Sequence, residues 1–335
     1  MPHLAKKRCL AVALTLLAAL VLTPSAARAD HHEEADPPQH PGYTILAACN
    51  HTRRIAIIDA DGATQWQREV HTIHDLHHLP SGNILYQDSF THLIEVNPEN
   101  DDIVWEYDAA NTNRDGDERV EVHAFQRLDD GTTMIAESGP ARIIEVDHAG
   151  NITHEIALQV DHPNAHSDTR LARKLDNGHY LVCHERDGAV REYDADGDVV
   201  WDYDIPLFDR ERAGGHGLDA FGNQTFAALR LENGNTLIAT GNGHSVIEVN
   251  PDQEIVWHLA QDDLEGIRLA WVTTLQVLPN GNIILGNCHA GPDYPQIIEI
   301  TRDKEVVWTF HDFERFGDAL SNSQILDEDT KPHHR

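Results

Sequence analysis

A repeat runs through nearly the whole of this chain and limits its fold more than any other feature. Two copies, Asn177 to Trp201 and Asn233 to Trp257, read NGHYLVCHERDGAVREYDADGDVVW and NGNTLIATGNGHSVIEVNPDQEIVW. Turn glycines at 82, 131, 178, 234 and 281 are spaced by 49, 47, 56 and 47 residues. Leu79, Leu128, Leu175, Leu231, Leu278 and Leu326 hold one place in the unit, and Trp66, Trp105, His154, Trp201, Trp257 and Trp308 hold another. Several short apolar runs per repeat at this period predict a ring of β-blades.

The number of copies and the closure of the ring follow from the two ends. There are six tryptophan-type positions against five turn glycines, so one copy is split. The run YTILAACNHTRRIAIIDADGATQW supplies three strands, and SQILDED (Ser323 to Asp329) aligns with the inner strand of the other copies. The prediction is an all-β, six-bladed propeller of four-stranded antiparallel blades, with a C-terminal strand completing the first blade. Closure of this kind removes the unpaired edges of an open sheet. Each blade opens into a hairpin at an Asn-Gly or Pro-Ser-Gly turn.

Composition places the ring. Residues 1–29 read as a secretory signal: Lys6, Lys7 and Arg8, then the apolar run Cys9 to Leu22, then Ala27-Arg28-Ala29. Residues 30–41 read as a flexible leader, 42–330 as one propeller domain and 331–335 as a tail. No later run is long enough to span a bilayer, so the expectation is an exported protein, periplasmic or extracellular, without membrane insertion. The net charge is −31, and removing the four basic residues of the signal leaves 21 Lys+Arg against 56 Asp+Glu, or −35. Such a charge argues against nucleic acid as a partner. It leaves a small anionic or glycan ligand to be decided by local charge.

Three cysteines follow the signal: Cys49, Cys183 and Cys288. Cys49 and Cys288 fall in blades that adjoin across the closure, which leaves a disulfide open, although buried free thiols are the preferred reading. Asn111 to Gly116 matches the opening of an oxygen-ligand calcium loop. Its twelfth position is Val122, and Glu121 stands one residue out of place, so an ordinary acidic loop is preferred.

Histidine distribution carries the functional reading. The chain holds 24. His71, His74, His123, His166 and His216 stand at or before first strands, and His51, His184, His244 and His289 near the ends of second strands. In a blade both kinds of position lie on one face of the ring. Asp168, Arg170, Arg186, Glu137 and Glu185 join them. The insertion Ile205 to Gln224, with Gly214, Gly215, His216 and Gly217, adds a long loop to that face, where sites usually lie. Converging imidazoles suit a divalent metal, with His51, His74 and His289 as candidates. A histidine flanked by arginine suits transfer of an anionic group instead. A non-catalytic propeller binding a metal, a glycan or a protein is the alternative from another class, and a metal-assisted polysaccharide lyase is a third.

These residues resemble bacterial arylsulfotransferases and, more loosely, PQQ-like repeat proteins. The resemblance is most specific in HPNAHSDTRLARKLDNGHYLVCHERDGAVREYDADGDVVW, from His162 to Trp201. It implies a channel histidine that takes a sulfuryl group, with other histidines and an arginine holding its oxygens. Carried over by position, the catalytic candidates are His123, His166, His216 and Arg186, with the nucleophile unassigned. Departures are the absence of a separate N-terminal β domain and the order NAHSD around His166. The eight-bladed ring and adjacent-cysteine motif of quinoproteins are also missing, so no bound PQQ is expected.

Overall fold

The computed structural model describes residues 42–111 and 119–327. The signal, leader and tail assignments, and most of the calcium-like loop, lie outside the described residues. Six four-stranded antiparallel sheets follow one another in chain order. In the first, the inner strand is the C-terminal Leu320–Ile325, paired to Ile45–Cys49, with Arg54–Ile58 and Thr64–Glu69 outside it. The inner strands of blades 2 to 6 are Leu76–His78, Glu121–Arg127, Ala172–Lys174, Ala227–Arg230 and Trp271–Val277. The expected six-bladed ring, closed by its C-terminal strand, is the fold observed.

The repeated residues each have a local cause. Gly82, Gly131, Gly178, Gly234 and Gly281 all adopt φ between 85° and 88°, where a side chain would be strained. Each donates its N–H to the carbonyl of the leucine three residues earlier, at 2.8–3.0 Å, so leucine and glycine define one turn. The aromatic of the fourth strand stands opposite a third-strand glutamate in five blades, as Trp105 does with Glu95 and Trp308 with Glu299. A register shift follows that pair in every blade. Such bulges bend the outermost strand and increase its twist.

The core lies between blades. Leu85, Leu93, Trp105 and Tyr107 of blade 2 pack on Val122, Phe125, Ile135 and Ile144 of blade 3. Burying these faces is the main stabilising term. Blade-to-blade packing leaves the inner strands ringed about an axis, and the residues at their starts surround one opening.

Candidate functional site

Around that opening lies a cavity of about 850 Å³. Five of the nine histidines singled out above line it: His51, His74, His166, His216 and His289. Arg170, Glu185 and Arg186 line it too, with Trp271, Thr273 and Cys288 on the side of blade 6. The inner strands of blades 3 and 6, three blades apart in the ring, both carry a register shift, at Val122/Ala124 and at Val272/Leu275. The first surrounds His123 and the second Thr273, so each bulge redirects a polar residue beside the axis.

The densest chemistry sits on blades 2 to 4. Glu121 and His123 are wholly buried, whereas the His166 side chain is half exposed. His166 Nδ1 donates to Glu121 Oε2 at 2.7 Å, and His123 Nε2 lies 3.1 Å from the same oxygen. Arg170 Nη1 lies 2.8 Å from His123 Nδ1. His123 Nδ1 also lies 2.9 Å from Thr169 O, so Glu121 and Thr169 each call for a proton on the ring while Arg170 calls for a lone pair at Nδ1, and no single neutral tautomer serves all three contacts. The His74 ring lies 4.5 Å from His123 by centroids, and its buried Nδ1 has no partner among the described residues.

Electrostatics set the protonation states. Burial alone would raise the Glu121 carboxyl, but hydrogen bonds from His123 and His166 outweigh it and hold it at about 2. Burial, reinforced by the Arg170 charge, holds His123 at about 4. Burial likewise holds His74 well below the ordinary imidazole value, with His123 and Arg170 acting in the same direction. The cluster at neutral pH is therefore a buried carboxylate with neutral imidazoles at His74 and His123. Glu185 is raised by burial, against the opposing pull of Arg170, to which it is paired at 2.5 Å.

The far wall is built differently. His216, from the long insertion, stacks on Trp271 at 4.9 Å and lies 5.2 Å from His289 by ring centroids. The insertion is pinned by reciprocal hydrogen bonds between Ala213 and Phe221, both 2.8 Å. Trp271 is only 6% exposed, with His216 over its ring. It offers no open face on which a planar quinone could stack, so these residues do not fit PQQ.

Not every singled-out residue reaches the cavity. His184 and His244 are fully buried; His184 Nδ1 is 2.8 Å from Asp168 O, and His244 Nδ1 is 2.7 Å from Ala270 O. Glu137 pairs with Arg142 at 2.6 Å, and Asp168 accepts from Gly139 N at 3.0 Å. His71 is exposed away from the lining. Cys49, Cys183 and Cys288 are buried free thiols, the preferred reading. Glu121, set aside above as a misplaced calcium ligand, is instead the carboxylate that joins His123 to His166. Its one sequence signal is the Glu-Val-His alternation, which puts positions 121 and 123 on one face of a strand.

Residues 51–310 match the family model described as outer membrane protein assembly factor BamB. The chain belongs to this PQQ-like propeller family. Among solved structures, a protein of unknown function from Bacteroides caccae is similar at TM-score 0.69 and 23% identity, covering 84% of this chain and 98% of that one. A streptogramin B lyase is similar at TM-score 0.54 and 13% identity, covering 83% and 85%. A catalytically inactive virginiamycin B lyase from Staphylococcus aureus, with quinupristin, gives 0.54 and 12%, covering 82% and 85%. At these identities the likeness is one of fold. No curated protein matches the chain. Among the described residues of this PQQ-like propeller, no helix is long and apolar enough to cross a membrane.

Proposed function

We propose that this PQQ-like propeller is a group-transfer enzyme of arylsulfotransferase type, with His166 as the reacting imidazole. The observation that carries this reading is the Glu121–His166 pair: one ring nitrogen is fixed on a buried carboxylate while the ring itself is half exposed on a cavity. Of the four positions carried over from the resemblance, His123 lies behind this pair and His216 across the cavity. Arg186 is exposed at the cavity wall, and Glu185 feels the charges of Arg170, His166, His216 and Arg186 together.

The chemistry follows from that arrangement. His166 Nε2 attacks the sulfur of an aryl sulfate, the bond from sulfur to the aryl oxygen breaks, and the phenolate leaves to take a proton from solvent. The sulfurylated ring is cationic, and the ionised Glu121 on its Nδ1–H stabilises it. Arg186 and His216 supply donors for the sulfuryl oxygens. An acceptor hydroxyl then attacks sulfur, the N–S bond breaks, and the acceptor proton passes to solvent. Proteins of this family are typically periplasmic or extracellular, in keeping with the secretory reading of residues 1–29.

A second reading rests on a specific convergence: ligand atoms of Glu121, His123 and His166 lie within 4.8 Å of one another, a set suited to a divalent transition metal. Against it, Arg170 Nη1 lies 3.4 Å from His123 Nε2, and Arg119 pairs with Glu121, so a dication would face two guanidiniums. Intact mass after incubation with p-nitrophenyl sulfate tests the choice. A sulfuryl adduct on His166 supports transfer. No adduct and no released phenol, with stoichiometric metal in the purified protein, would overturn it.

A further inference from the structure

Beside the histidine cavity lies a second, of about 520 Å³, over blades 4 and 5. Arg186, Gly215 and Gln224 line both, so the two form one continuous groove. A chain of hydrogen bonds runs beneath it. Asn242 Nδ2 donates to Gln224 Oε1 at 2.6 Å, Gln224 Nε2 to Glu185 Oε1 at 2.9 Å, and Glu185 is paired to Arg170. The groove is thus tied to the residues around His166 by a polar network.

Its lining sets two open cations beside one shielded carboxylate, Asp187, whose buried side chain is held by Arg191 and His162. Arg186 stands at the junction and Arg212 at the insertion; both are exposed, and among the described residues neither is within ion-pair distance of a carboxylate. The arginines next to them, Arg170 and Arg191, are paired. Leaving guanidiniums unpaired in a chain of net charge −31 makes this a local cationic spot in a repulsive field. The floor carries the amides of Asn223, Gln224 and Asn242. A Cβ on Gly222 would come within 2.6 Å of Asn242 Nδ2, so only glycine permits that packing. Phe221 is 3% exposed, with Arg210 stacked over its ring, so no apolar pocket opens for a peptide side chain and no ring for a base.

We propose that this groove binds an acidic oligosaccharide of sparse charge, its acidic groups on Arg186 and Arg212 and its hydroxyls on Asn223 Nδ2 and His162 Nε2, since Asn223 Oδ1 accepts from Arg212 and His162 Nδ1 lies on Asp187. Unpaired guanidiniums select carboxylate or sulfate. The amides along the groove select a hydroxyl-rich chain. The global charge excludes a dense polyanion. The inference deepens the transfer reading by naming the substrate class, and rests on it only for which end of the chain reacts.

Calorimetric titration of the full chain, without sulfuryl donor, tests it. Hyaluronan hexasaccharide carries one carboxylate per two sugars; chitohexaose in its fully N-acetylated form is neutral, and glucuronic acid is a single unit. The hexasaccharide is expected to bind at least tenfold tighter than either. Arg212→Ala is expected to weaken it about tenfold, Arg212→Lys to recover part of the loss, and p-nitrophenyl sulfate binding to stay unchanged in both. Equal affinity for hexasaccharide and chitohexaose, or an Arg212→Ala protein that binds like the parent, would overturn the proposal. Hexasaccharide binding by a protein that never forms a sulfuryl adduct would support it while removing the transfer reading.

Discussion

His166 Nδ1 lies 2.7 Å from Glu121 Oε2, a contact between the loop that leads into blade 4 and the first residue of the inner strand of blade 3. Neither residue is informative alone. Together they make an imidazole with one nitrogen anchored and its ring open to a cavity, the arrangement that orients and activates histidine as base or nucleophile.

The reacting ring is separable from its support. His166→Ala is expected to abolish turnover of an aryl sulfate and any sulfuryl adduct. Glu121→Gln keeps the shape but removes the charge that stabilises the cationic intermediate, so kcat should fall about 10²- to 10⁴-fold with KM for the donor little changed. Steady-state kinetics separate the two. A Glu121→Gln enzyme at parental kcat would show that the carboxylate plays no part.

Acid stability should fall early. His123 and His184 are each held at about 4 against an ordinary 6.5, by burial first and then by Arg170 and Arg191 respectively. The native state therefore binds fewer protons than the unfolded chain between those values. Stability is complete above about pH 6.5 and is lost as pH falls toward 4. Urea denaturation across that range is expected to show a loss on the order of 2 kcal/mol per histidine. His184→Gln should flatten its share.

Asp75 and Arg173 form a buried bidentate pair at 2.8 and 3.1 Å. Asp75 also accepts from Phe125 N at 3.2 Å, so one carboxylate ties blades 2, 3 and 4. Its carboxyl is held at about 2: burial opposes ionisation, but Arg173 and His77 outweigh it. Asp75→Ala takes the carboxylate from a buried guanidinium and should destabilise by about 3–5 kcal/mol, read from denaturant melts.

Ring closure is carried by Leu320–Ile325, paired to Ile45–Cys49. Deleting residues from 320 onward exposes the inner edge of the first blade and the flank of blade 6. The expected outcome is loss of the cooperative melt and association of chains by edge pairing, read by circular dichroism and sedimentation velocity. A truncated chain that stays monomeric and melts cooperatively would show that closure is dispensable.

The architecture was legible in the sequence because it is written by local and periodic causes. The turn glycines need positive φ, the leucine three residues earlier closes the same turn, and an outer-strand tryptophan recurs in five blades, with His154 in its place in the third. Even the split blade shows as a mismatch between six tryptophan-type positions and five glycines. The face of the ring on which histidines gather follows from where strands begin and end. Which of them share a cavity does not, because that depends on side-chain direction and on bulges. His184 and His123 both fall on the crowded face, yet His184 is spent on Asp168 and Tyr193 while His123 contacts the carboxylate that holds His166. Glu121 belongs to another blade from His166 and lies 45 residues away, a pairing no periodicity encodes. The sequence by itself determined six blades, their closure and the crowded face. Only the tertiary structure decided the Glu121–His166 pair and the neighbouring groove, because both arise where separate blades meet.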